Sequence, residues 1–142
     1  DTAPHRTPYR AGQWKSRAGP ATGIRAGYSL IVAARLLAIS WLALLATQLA
    51  WHVLLPPPHG TRNIWLAVLL AVPLLLPLKG ILERSIRSIT WGGYLSMLYL
   101  VIGVTEAWAN PPQRIPALQQ VFVVVIYVAA AVAFSRQVPR KS

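Results

Sequence analysis

Four apolar runs, separated by short joints rich in proline and basic residues, leave this chain few ways to fold. Of its 142 residues, 55% are hydrophobic and only 12% are charged, against about 25% charged in an ordinary soluble domain. So few charges cannot cover a water-facing surface and also hide this much apolar material. Because the apolar residues are gathered into blocks near the ~20 residues that cross a bilayer, the blocks read as membrane helices. The expected fold is an all-α membrane protein of four antiparallel transmembrane helices, with spans at about 30–55, 64–82, 90–109 and 117–135. Residues 1–27 read as a basic, disordered cytoplasmic tail, 28–136 as the transmembrane domain and 137–142 as a basic cytoplasmic C-terminus.

The third run, residues 90–110, has the most structure in its pattern. It carries the only acid inside an apolar segment, Glu106. Gly92, Ser96, Tyr99, Gly103, Glu106 and Asn110 recur at alternating steps of four and three, which places them on one face of a helix. The other faces are Leu, Val and Ile. A helix greasy on most sides must turn such a small and polar stripe towards protein or water, so this face is expected to be a packing surface.

Read in order, the chain opens on a tail holding Arg6, Arg10, Lys15, Arg17 and Arg25 against the single acid Asp1. Tyr9 and Trp14 among these cations offer stacking for single-stranded nucleic acid. A span follows immediately, so attraction to anionic lipid headgroups is the stronger reading and nucleic acid is disfavoured. In the first span, Arg35 lies close enough to the start to snorkel to the headgroups, and Trp51 and His52 suit the opposite interface. Ala34 with Ala38, and Ala46 with Ala50, provide close-packing steps. Pro56, Pro57 and Pro58 end that helix. The second span is interrupted by Pro73 and Pro77, each of which removes a backbone donor and crowds the preceding turn, so a kink is expected. The link 79–89 is basic and weakly amphipathic, Pro111 and Pro112 close the third span, and the fourth is nearly featureless Val, Ile and Ala.

Charge placement sets the orientation. The tail, Arg35, the link (Lys79, Arg84, Arg87) and the C-terminus (Arg136, Arg140, Lys141) carry 12 of the 14 basic residues, and only Arg62 and Arg114 fall on the other side. Basic residues are retained in the cytoplasm, so both termini and the 79–89 link are expected there. Arg17, Arg25, Arg35, Lys79, Arg84, Arg87 and Arg136 are the expected headgroup contacts.

From "ARLLAISWLALL" in the first span, through "LLLPLKGIL" at 74–82, to "YLVIGVTEAWANPPQR" at 99–114, the chain resembles a family of small bacterial inner-membrane proteins known only as a domain of unknown function. Gly103, Glu106 and Ala107 are the most specific part of the match. The resemblance implies a four-span protein of a Gram-negative inner membrane and supplies no activity. The tail before Tyr28 lies outside it.

Chemistry is sparse. Cysteine is absent, and His5, His52 and His59 do not have metal-ligand spacing, so no metal and no cofactor is expected. No Ser-His-Asp set, paired intramembrane carboxylates or phosphate loop can be assembled, so the protein is expected not to be an enzyme. Glu106 lies about one turn before Asn110 and Pro111, close to the outer surface, where an acid costs far less than at mid-bilayer. Its expected partners are His52, Arg62 and Arg114, as a clamp on the outer ends of the helices. A carboxyl that handles protons or a cationic ligand, and a stripe that binds another membrane protein, are the alternatives. The functional expectation is an accessory or scaffolding subunit packed against another inner-membrane protein. Its rival is a small proton-coupled or lipid-handling transporter using Glu106.

Overall fold

The computed structural model describes residues 20–138, with the side chains of residues 23–138. Among them every regular element is helical: α1 (Pro20–Leu49), a π-helical turn (Ala50–Leu54), α2 (Ile64–Leu75), α3 (Leu78–Leu82), α4 (Ile86–Ala109), a 3₁₀ turn (Pro111–Gln113) and α5 (Arg114–Gln137). Three stretches are long and apolar enough to cross a membrane, Gly23–Leu54, Ile86–Ala109 and Pro111–Gln137, while Ile64–Leu75 is a shorter apolar helix.

Helix boundaries depart from expectation in three places. Residues 20–27, assigned to a disordered tail, form the first two turns of α1. Pro20 stands at the first helical position, where its fixed φ suits the helix and its missing N–H is an orphan anyway. Residues 1–19, Arg17 included, and 139–142 lie outside the described residues. The basic link 79–89 is mostly helical, because α3 ends and α4 begins around a single tight corner. There Ser85 N–H donates to the Gly80 carbonyl (2.8 Å) and Arg84 N–H to that of Ile81 (3.0 Å), with Arg84 at φ 60°. That is a Schellman closure, with arginine where glycine is usual. Finally, α5 starts at Arg114 and takes Pro116 into its first turn, where proline costs no helical hydrogen bond.

The two prolines of the second apolar run act differently. Pro73 is carried inside α2, whereas Pro77 follows a break at Leu76 and serves as the N-cap of α3. Other helices place donors beside these interruptions. Trp41 Nε1 donates to the Leu74 carbonyl (2.9 Å), and the Tyr99 hydroxyl donates to the carbonyl of Leu70. In hydrocarbon no water can serve such carbonyls, so ties of this kind fix α2 against α1 and α4. At its start, α2 is capped by Asn63, whose Oδ1 accepts from the N–H groups of Trp65 (3.1 Å) and Leu66 (3.2 Å).

The centre of the bundle is α5, which packs extensively on both α1 and α4, while α1 and α4 scarcely touch. The run expected to be featureless is therefore the hub. Its inward side presents Ala117, Gln120, Val124, Tyr127, Ala130 and Phe134. Tyr127 packs its ring 4.9 Å from that of Trp41 and donates its hydroxyl to the Ile89 carbonyl at 2.9 Å. Four members of the stripe on α4, Gly92, Ser96, Tyr99 and Gly103, are buried within this chain. A Cβ added at Gly92 would overlap the Tyr127 hydroxyl, and one at Gly103 would lie 3.1 Å from the Ala117 carbonyl. The stripe is thus the seam between α4 and α5, and it is not available as an interface with another membrane protein. The alanine steps on α1 are split: Ala34 is buried but Ala46 is exposed.

Candidate functional site

The two turns, 55–63 and 110–113, meet at one end of the bundle, where the His59 ring Nδ1 lies 3.0 Å from the Pro112 carbonyl. Pro20, the α3–α4 corner and Gln137 lie at the other. At the turn end the π-helical turn takes up an extra residue, and both Trp51 and His52 within it are buried. Their rings stack, with centroids 5.1 Å apart and planes 11° from parallel. Trp51 Nε1 donates to Gln113 Oε1 (3.0 Å), and His52 Nδ1 pairs with Thr61 Oγ1 (2.8 Å).

Below the turns is a cavity of about 260 Å³. His52, Thr61, Glu106, Asn110 and Gln113 supply its polar lining, and Leu66, Leu70 and Ile102 its apolar floor. Glu106, half-buried on α4, accepts a hydrogen bond from the Asn110 side-chain amide. His52 Nε2 is buried and has no hydrogen-bond partner among the described residues. Such an orphan is costly in a dry interior and ordinarily marks a position where water or a ligand belongs.

The structure thus brings two of the expected residues, Glu106 and His52, to one cavity. No ion pair joins them, since the one ion pair among the described residues is Lys79–Glu83 at 3.9 Å. It does not bring Arg62 or Arg114 onto Glu106. Arg114 Nε donates to the Ala107 carbonyl (3.1 Å), and Arg62 is exposed. Asn110, expected on the packing stripe, is exposed and serves as the partner of Glu106. Among the described residues no three His, Cys, Asp or Glu side chains gather to hold a metal ion.

Just beneath this cavity lies a polar chain that spacing did not reveal. Gln48 on α1 donates through Nε2 to Gln120 Oε1 on α5, and Gln120 Nε2 donates to the Tyr99 carbonyl on α4. Both glutamine side chains are fully buried. Gln119 Nε2 adds a bond to Thr47 Oγ1 at 3.2 Å. Three helices are thereby joined through neutral amides. At the opposite end, Arg25, Arg35, Lys79, Arg84, Arg87 and Arg136 are all exposed.

Long apolar helices around a small polar interior, with cations at one rim, define a helical membrane protein. The chain belongs to the family described as predicted membrane protein DUF2069, a domain of unknown function, whose profile matches residues 36–138. No curated protein and no solved structure matches the chain.

Proposed function

We propose that this chain is a four-span protein of a bacterial inner membrane with both termini cytoplasmic, and that it binds a small cation, the proton included, at the turn end. No enzymatic step is part of this reading. The α2–break–α3 stretch, at ~1.5 Å per residue over 64–82, approaches the thickness of a hydrocarbon core and supports the fourth crossing. The charge asymmetry supports the orientation. The observation that carries the function is the pairing, around one cavity, of His52 Nε2, unpartnered among the described residues, with the carboxylate of Glu106. A carboxylate gives a cation its counter-charge, and an imidazole nitrogen adds a second ligand atom.

The test is thermal unfolding of the chain in lipid nanodiscs with and without methylammonium. A ligand at a hundredfold excess over Kd stabilises the folded state by ~2.7 kcal/mol. Methylammonium should raise Tm in the wild type, and Glu106→Gln should abolish the rise while leaving the folded yield unchanged. If methylammonium does not move the wild-type Tm and Glu106→Gln mainly lowers the folded yield, Glu106 is a clamp and the reading fails.

An accessory-subunit role keeps one observation of its own. Trp65 and Leu69 on the outer side of α2, and Leu76 just after it, are strongly exposed among the described residues and offer a face for another inner-membrane protein. Co-purification from native membranes, lost on changing Leu69 and Leu76 to alanine, would support that role.

A further inference from the structure

The basic end of the bundle carries apolar grooves with an arginine at the mouth. One, of about 830 Å³, runs between α4 and α5. Its deeper part is lined by Gly93, Met97, Val128 and Ala131, and its mouth by Ser135 and Arg136. Chemistry therefore changes along its length, from apolar at mid-helix to hydroxyl and guanidinium at the helix end. Gly93 helps to open it, since a Cβ built there meets nothing within 4 Å. Arg136 is exposed and makes no ion pair among the described residues.

Two other grooves repeat this arrangement at the same end. One of about 710 Å³ between α1 and α5 has Arg25 at its mouth over Ala129 and Ala133, and one of about 360 Å³ has Arg87 beside Leu76 and Leu95. The turn-end cavity has a carboxylate and an imidazole instead, and no arginine lines it.

We infer that the α4–α5 groove is a seat for one anionic phospholipid, its acyl chain along Gly93 and Ala131 and its phosphate on Arg136. The cavity is of the size that holds a drug-sized molecule. A planar guanidinium at headgroup depth gives phosphate two parallel donors, which a zwitterionic lipid uses less well because its own cation competes. Depth and charge match a lipid of the leaflet whose surface is negative. The inference is independent of the turn-end site.

Since the chain has no cysteine, Tyr94→Cys on the groove's rim can carry a single fluorophore. The full chain in nanodiscs is then titrated with acyl-brominated phosphatidylglycerol or phosphatidylcholine, whose bromines quench the label on contact. Phosphatidylglycerol should quench at a several-fold lower mole fraction. Arg136→Gln should weaken phosphatidylglycerol about tenfold, the worth of one charge-assisted hydrogen bond, and remove the preference, while Arg136→Lys should retain part of it. Gly93→Leu, which fills open space, should weaken both lipids. Inorganic phosphate at constant ionic strength should not displace the lipid. Equal quenching by the two lipids, a preference that survives Arg136→Gln, an unaltered Gly93→Leu protein, or displacement by phosphate alone would each overturn the assignment.

Discussion

Replacing Gln120 by leucine tests whether the amide chain holds the helices together. Gln120 accepts from Gln48 and donates to the Tyr99 carbonyl, and its side chain is wholly buried. Interhelical side-chain hydrogen bonds within membranes are worth ~0.6 kcal/mol each on average, so two lost bonds give ~1.2 kcal/mol. The change also strands Gln48. Its Oε1 already has no partner among the described residues, and Nε2 would join it. An unmet buried amide adds about 1 kcal/mol or more, so Gln120→Leu should destabilise by about 2 kcal/mol. The double variant Gln48→Leu, Gln120→Leu removes both ends of the Gln48–Gln120 bond and should return to within about 1 kcal/mol of the wild type. Reversible unfolding in mixed detergent–SDS micelles, extrapolated linearly, measures all three. A single variant within ~0.5 kcal/mol of wild type, or a double variant worse than the single, would refute the reasoning.

Neighbouring glycines on α4 should behave oppositely. Gly92→Ala pushes a methyl group into the Tyr127 hydroxyl, which cannot retreat without losing Ile89, and should cost about 1–3 kcal/mol of stability in the same assay. Gly93→Ala enters open space and should be neutral, or stabilising by up to ~1 kcal/mol through helix propensity. For orientation, reporter fusions should place Gly60 and Gln113 outside the cytoplasm and Ser142 inside, and the reverse pattern would sink the proposed topology.

The stripe on residues 90–110 was legible because a helix repeats every 3.6 residues, and Gly92, Ser96, Tyr99 and Gly103 keep that beat in an otherwise apolar run. What periodicity cannot encode is a partner. Gln48 and Gln120 are 72 positions apart, and each looks like a lone polar residue in a greasy segment until α1 and α5 are side by side. For the same reason α5 read as featureless: Val, Ile and Ala are what a helix uses when neighbours press on both sides. At the site, Glu106 stood out by its charge, and His52 by its place near a helix end. That both line one cavity is a matter of how α1 and α4 are placed, and the π-helical turn carrying His52 has no compositional mark. Pro20 and Pro116 stand in the first turns of α1 and α5, since proline breaks a helix in its interior but starts one comfortably.

The hub position of α5 also bears on how the protein is made. Ribosomes deliver helices in sequence order, and α5 follows both helices that depend on it. While α1 and α4 are already synthesised, Gln48 lacks its Gln120 acceptor, the Gly92–Gly103 seam is open, and the two helices scarcely touch directly, meeting through the second apolar stretch. The insertion machinery, a chaperone or lipid must shelter these polar and small-residue faces until α5 arrives. A chain stalled before Arg114 would consequently be a set of unsatisfied helices, and quality control has a clear chemical signature by which to recognise it.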